Sequence, residues 1–223
     1  MADLEAALGP GQARAEPLEL ALYQRDAGVD RGAAAAVCFP TRGADVAAAV
    51  RVAAGHGRSF VARGSGTGLA GGATPVGDPL VIVTTHLTRI LEVNAEEQYA
   101  WVEPGVLNLD LSRAVRHLGL HYAPDPSSQQ ACTIGGNVAT NAGGPHCLAS
   151  GVTAMHVLAV EVVLGDGSVT MLGGLEPDQA GYDLRGHSRR QSGRCYSTSR
   201  RSSRPPPPSA ASSPRGSFPP RSR

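Results

Sequence analysis

A packed core has to be built within the first 186 residues. From His187 onward the chain reads HSRRQSGRCYSTSRRSSRPPPPSAASSPRGSFPPRSR, a mixture of Arg, Ser and Pro with no apolar period. Such a segment cannot bury enough apolar surface to offset the entropy of ordering it, so residues 187–223 are expected to be a disordered tail. Charge divides at the same place. All 19 acidic residues fall at or before Asp183, and the 20 basic residues are all arginine. Residues 1–186 carry a formal charge of −8 and residues 187–223 carry +9, which is hidden in the whole-chain value of +1. Aromatic residues make up only 4% of the chain, so the core must come from small aliphatic side chains.

The start, MADLEAALGPG, has neither the basic nor the apolar region of a signal peptide. The longest apolar run, Ala33 to Phe39, is far shorter than the ~20 residues of a bilayer span. A cytoplasmic chain without a transmembrane segment is expected. Cys38, Cys132, Cys147 and Cys195 have no C-x-x-C spacing and are expected as free thiols.

Residues 34–42 read as a short strand closed by Pro40. Thr41 is a candidate N-cap, with Asp45 in the first turn and Val46, Ala49, Val50 and Ala53 on one helical face. R-S-F-V-A is a strand running into a glycine-rich loop, and P-L-V-I-V-T-T is a fully buried strand. R-I-L-E-V-N and Q-Y-A-W-V-E-P form a hairpin around 94–97. Leu107, Leu111, Ala114, Val115 and Leu118 stripe a second helix that Gly119 stops. Residues 124–151 have no clear period and read as a long functional loop. A second hairpin turns at Gly165-Asp166-Gly167. Helices mixed with hairpins argue for an α+β fold rather than a purely parallel sheet.

The loop Arg63 to Gly72, R-G-S-G-T-G-L-A-G-G, places five glycines in ten residues. Glycine lets a phosphate approach backbone N–H donors closely and permits positive φ. Arg63 would add a fixed cation, and Ser65 and Thr67 hydroxyl donors. No G-K-[ST] follows, and no amphipathic helix completes a dinucleotide fingerprint. On its own the loop is open to two readings, a diphosphate cradle or a plain surface turn. The segment 123–147 adds two further Gly-Gly pairs with Asn137 and Asn141 beside them, which suggests an extended ligand touched in several places. His117 and His121 are four apart but separated by the helix-stopping Gly119, so exposed polar residues are expected rather than a metal pair. His146 and Cys147 are adjacent, and sequence neighbours rarely face each other as base and nucleophile. His56 and His86 have no partner identifiable from sequence.

Taken together, R-G-S-G-T-G-L-A-G-G, V-E-P-G-V, YAPDPSSQQACTIGGNVATNAGGPHCLASGVT, V-L-A-V-E-V-V-L-G-D-G-S-V and G-Y-D-L-R-G resemble the FAD-linked oxidases of the vanillyl-alcohol oxidase and p-cresol methylhydroxylase (PCMH) fold. The branch most similar is that of the glycolate oxidase FAD subunit and D-lactate dehydrogenase. The resemblance covers residues 20–186, behind a lead-in of residues 1–19. It implies a two-subdomain PCMH-type FAD-binding domain, incomplete at its C-terminus. It also implies hydride transfer from a small 2-hydroxy acid to FAD, and then to an electron acceptor or companion subunit. By this likeness Arg63, Gly64, Ser65, Gly66, Thr67, Gly68, Leu69, Gly71 and Gly72 wrap the FAD pyrophosphate. Pro124, Asp125 and Ser127 line the flavin side. Thr133, Ile134, Gly135, Gly136, Asn137, Asn141, Ala142, Gly143 and Gly144 pack against the isoalloxazine and phosphates. Relatives that bind FAD covalently often carry His in the first loop, where this chain has Thr67, so noncovalent FAD is implied. No catalytic base can be named, because the substrate domain is not in this sequence. A flavin-binding module or inactive fragment without turnover is the alternative, as is an FAD subunit completed by a separate polypeptide.

In such relatives G-Y-D-L leads into a segment like LVGSEGTLGIVTEATL. Here it leads into H-S-R-R-Q-S-G. Shifting these codons by one nucleotide allows Ile-Leu-Val-Gly-Ser-x-Gly, so a frameshift is the expected origin of the tail. An Arg-rich nucleic-acid-binding arm is the rival reading, with salt-dependent RNA binding as its signature. Nucleotide sequencing across codon 186 is expected to show a one-base shift that restores a V-G-S-x-G frame; no such frame in any reading overturns the idea.

Overall fold

The computed structural model describes residues 1–174, and both the G-Y-D-L-R-G motif and the tail lie outside the described residues. Helix α1 (Ala2–Leu8), strand β1 (Ala13–Arg14) and helix α2 (Pro17–Ala21) precede β2 (Ala36–Cys38), α3 (Gly43–Gly55), β3 (Phe60–Arg63) and β4 (Leu80–Val83). The sheet order is β1-β2-β4-β3. Strands β2, β4 and β3 run parallel, with Val37 and Val61 both opposite Val81, while β1 closes one edge antiparallel.

The sequence L-V-I-V explains why β4 is the central strand. All four of its residues are buried. Alternate side chains face opposite ways along a strand. Leu80 and Ile82 pack with Val46, Ala49, Val50 and Ala53 of α3. Val81 and Val83 pack on the other face with Val37, Tyr23 and Phe39. Each such aliphatic side chain contributes roughly 1.5–3 kcal/mol by burial. A strand covered on both faces has no polar side, as its unbroken apolar run indicated.

The second half holds β5 (Ile90–Asn94), β6 (Tyr99–Val102), α4 (Asn108–Val115), α5 (Ile134–Thr140), α6 (Cys147–Ser150), β7 (Ala159–Val163) and β8 (Val169–Gly173). Strands β5 and β6 pair antiparallel, as do β7 and β8. Both hairpins share one core with α4 and α5, built on Val102, Leu111, Val115, Ile134, Val138, Val160 and Val162. The α+β expectation therefore holds, with one buried cluster on each face of the first sheet and a third in the second half.

Three local expectations are corrected. Residues 124–151 are not one long loop, because α5 and α6 lie within them. The signal was present in Thr133, whose Oγ1 accepts from the Gly136 N–H as an N-cap, and in Ile134 and Val138 four residues apart. Gly135 and Gly136 in the first turn obscured it. Ala114 and Leu118 of the expected α4 stripe are exposed, while the polar Asn108 is buried. The N-cap of α3 is Arg42 rather than Thr41.

Asp45 anchors the start of α3. One carboxylate oxygen accepts from the Thr41 N–H, the Thr41 hydroxyl and the Arg42 N–H, and the other accepts from the Arg42 guanidinium at 2.9 Å. Burial alone raises its pKa, but these donors outweigh it and hold the carboxyl below its ordinary value. The ionised form therefore stabilises the fold above about pH 4, and this contribution is lost as pH falls through the depressed folded-state value. Asp45→Ala is expected to cost about 2 kcal/mol in urea unfolding at pH 7. The gap to wild type should close progressively below pH 4.

Candidate functional site

Parallel strands β3 and β4 end together, so the segments that follow them leave the same edge of the sheet. The glycine-rich loop follows β3, and Thr84 follows β4. Open parallel sheets bind ligands at this carboxyl edge. Here the edge opens into a cleft of about 490 Å³ between the glycine loop and α5. That volume falls in the range of small-molecule sites. Arg63, Gly64, Ser65, Gly66, Thr67, Gly68, Leu69 and Gly72 line it from one side, and Thr133, Gly135, Gly136, Asn137 and Ala142 from the other.

The first loop presents its backbone to this space. Among the described residues, no N–H group from Gly64 to Ala73 donates to a protein acceptor. A run of amides without protein partners beside a cleft is a donor set for an anion. Gly66 has φ +74°, and a Cβ there would lie 2.1 Å from the Arg63 guanidinium. A Cβ on Gly64 would lie 2.3 Å from the Thr133 Oγ1. A side chain at Gly66 would be strained by its φ and crowd the guanidinium, and one at Gly64 would push the Thr133 hydroxyl out of its capping bond.

Arg63 is the fixed cation at the start of the loop, and its surroundings add a second role. It is buried, and its guanidinium donates to the Arg25 carbonyl at 2.8 Å and the Ala73 carbonyl at 3.4 Å. It also lies 5.5 Å from the centre of the Tyr23 ring. Burial lowers its pKa, with Tyr23 and Asp26 opposing, and an arginine so shifted is still a cation. Its side chain ties the two ends of the loop region together from beneath.

The glycines of the second segment do different work from those of the first. The Gly135 N–H donates to the Pro104 carbonyl at 2.8 Å, and a Cβ on Gly135 would lie 2.5 Å from the Pro104 Cβ. A Cβ on Gly144 would meet the Asp125 carboxylate. These glycines allow close packing of protein on protein. Ile134 is fully buried in the second core. Ile134, Asn141, Gly143, Gly144, Pro124, Asp125, Ser127 and Gly71 do not line the cleft. Several of them brace it instead. Asn108 Nδ2 donates to the Pro124 carbonyl at 3.0 Å and to Asn137 Oδ1 at 2.9 Å. Asn141 takes the left-handed conformation that ends α5. Asp125 pairs with His146 Nδ1 at 2.5 Å.

That pairing turns the His146 ring to Asp125, so the adjacent Cys147 gains no base from it. His117 and His121 are exposed, and among the described residues no His, Cys, Asp or Glu cluster could hold a metal. His56 pairs with Asp3 at 2.7 Å and His86 stacks on Phe39, partners that lie far away in sequence. Cys38, Cys132 and Cys147 are free, and burial pushes the Cys38 thiol up to about 12. The sequence reading missed Asp26, Thr84, Pro104 and Cys132 as lining residues. Thr84 was recoverable from the strand-end rule and Pro104 from V-E-P-G-V. Asp26 lies in an irregular segment and carried no signal.

Residues 34–173 match the family described as FAD binding domain. The chain belongs to this family. Its cofactor is FAD. The chain is 50% identical over 124 residues to glycolate oxidase subunit GlcD of Escherichia coli strain K12, covering 56% of this chain and 25% of that protein. It is 44% identical over 150 residues to GlcD of Bacillus subtilis strain 168, covering 67% and 32%. It is 37% identical over 149 residues to D-lactate dehydrogenase of Archaeoglobus fulgidus, covering 66% and 33%. The chain thus spans a quarter to a third of the length of these relatives. A 4-ethylphenol oxidase from Gulosibacter chungangensis has the same fold with TM-score 0.78 and 26% identity, over 92% of this chain and 42% of that one. The fold of p-cresol methylhydroxylase matches with TM-score 0.75 at 21% identity, over 89% and 41%. Among the described residues no helix is long and apolar enough to cross a membrane.

The brace role of Arg63 has a direct test. Arg63→Met is expected to lower the melting temperature of the ligand-free chain by several degrees and to speed amide exchange across residues 64–73. Unchanged ligand-free stability would mean that Arg63 serves only a bound anion.

Proposed function

We propose that this chain is the cofactor-holding part of an FAD-dependent 2-hydroxy-acid dehydrogenase or oxidase of the glycolate or D-lactate type. The observation that carries this reading is the run of N–H groups from Gly64 to Ala73 without acceptors among the described residues, in a loop that lines a cleft large enough for part of a dinucleotide. The diphosphate would lie against Gly64, Ser65, Gly66 and Thr67, where backbone and hydroxyl donors converge. Thr133, Gly136 and Asn137 would wall the opposite side. Pro124, Asp125, Ser127, Ile134, Asn141, Gly143 and Gly144 would act behind that wall, by holding α5 and its flanks in place. Thr67 offers no ring nitrogen for a covalent link, which supports noncovalent binding. Bound FAD would accept a hydride equivalent from the α-carbon of the 2-hydroxy acid. The protein's share in this segment is to bind and orient the cofactor.

The short coverage of the relatives favours a second element in the reading. A chain spanning a quarter to a third of their length would bind flavin without turnover unless a companion polypeptide supplied the rest, as the subunit name of GlcD suggests. A cytoplasmic setting suits its free thiols.

Titrating the purified 223-residue chain with FAD is expected to quench flavin fluorescence saturably, with the flavin lost on gel filtration. Dye reduction with D-lactate or glycolate is expected to stay at background. Saturable binding with robust turnover would refute the fragment reading, and no quenching at any concentration would refute the FAD reading of this chain.

A further inference from the structure

Arg63 and Asp26 are the charged side chains in the wall of the cleft. Asp26 is only 6% exposed. Its Oδ1 accepts the Gly28 N–H at 2.7 Å, closing a short local turn. Its Oδ2 is fully buried and has no hydrogen-bond partner among the described residues. The nearby guanidinium of Arg63 attracts this carboxylate through space but forms no hydrogen bond with it; its Nη1 donates to the carbonyls of Arg25 and Ala73. The free oxygen sits beside the loop, 3.8 Å from where a Cβ on Gly68 would lie. The Ala27 N–H in turn donates to the Gly68 carbonyl at 2.9 Å, which fixes the Asp26 turn to the loop.

A buried carboxylate oxygen left without a donor is costly, and a bound ligand that supplies a donor recovers that cost. Phosphate oxygens cannot do so, since they are acceptors and carry the same sign of charge. The cleft is therefore polarised along the loop. Its Gly64–Thr67 end offers donors to acceptors, and at its Gly68 end the free oxygen of Asp26, closed off in the ligand-free state, would become an acceptor for a donor once the side chain turns toward the cleft. In FAD the groups immediately flanking the diphosphate carry hydroxyls, on the ribose on one side and the ribityl chain on the other. The ring N–H and amine donors sit at the far ends of the molecule. Positions 67 and 68 are adjacent, so the donor reaching Asp26 must lie next to the diphosphate.

We propose that Asp26 is a specificity residue of this cleft, accepting a hydrogen bond from a cofactor hydroxyl adjacent to the diphosphate and so fixing which part of FAD lies over Gly68. This rests on the FAD reading above. Hydrogen bonds to a charged partner are the stronger kind, and losing one costs about tenfold or more in affinity.

Asp26→Asn keeps an oxygen for the Gly28 N–H and replaces the free acceptor by an amide group. Calorimetric titration of the full chain with FAD, ADP and FMN, beside thermal melts of the ligand-free proteins, tests the assignment. The expected result is FAD affinity at least tenfold weaker in Asp26→Asn, with a ligand-free melting temperature no lower than wild type. A matching loss with ADP identifies the ribose hydroxyl, and a matching loss with FMN identifies the ribityl hydroxyl. FAD affinity within threefold of wild type overturns the proposal and leaves the FAD reading standing. A melting temperature that falls in step with affinity also overturns it, by making Asp26 a brace of the turn. Failure of the wild-type chain to bind FAD overturns both.

Discussion

The cleft depends on one buried guanidinium. Arg63 ends the edge strand β3 and reaches back toward the loop it begins, donating to carbonyls at residues 25 and 73. A loop whose own amides are unpaired has little internal structure to hold its shape. Glycine makes this worse, because it has the most conformational freedom to lose. An interior cation bonded to the carbonyl just past the loop and to one in the segment before β2 supplies the missing restraint. It leaves the outward amides open because it uses acceptors rather than donors. The cost is a desolvated charge, reduced by the Tyr23 ring and the nearby Asp26.

This arrangement also explains how an acidic domain can hold an anionic cofactor. Residues 1–186 carry a formal −8, so long-range attraction does not draw a diphosphate in. In the FAD reading proposed above, recognition falls to fixed backbone dipoles at short range, which are effective where water is displaced. Affinity built this way depends on loop geometry more than on ionic strength.

Much of this was legible in the sequence, and the exceptions follow a pattern. Strand β4 announced itself because four consecutive apolar residues between polar flanks have few other homes. Both hairpins were marked by polar turns between alternating runs. The glycine loop was recognisable as irregular, open backbone because that is what clustered glycine provides, and it lines the cleft. Helix α5 was hidden by glycines in its first turn, which carry a loop signal locally while serving close packing against Pro104. The bracing contacts of Arg63 were not legible because its acceptors lie 38 and 10 residues away in sequence. Asp26 was invisible for the same reason. Its significance is a missing partner, and that is a property of the folded surroundings.

The contact between Gly64 and Thr133 has a further consequence. The glycine loop and α5 approach each other where one residue has no side chain, so the gap between them at this point is limited by the Thr133 hydroxyl. Such a spacing cannot be adjusted in small steps at position 64, where the next larger residue already overlaps a hydroxyl. Gradual change in the width of the cleft would have to arise at position 133, where side chains of graded size can retain the helix-capping oxygen. Evolutionary tuning of this gap is therefore one-sided, carried by the helix while the loop stays fixed.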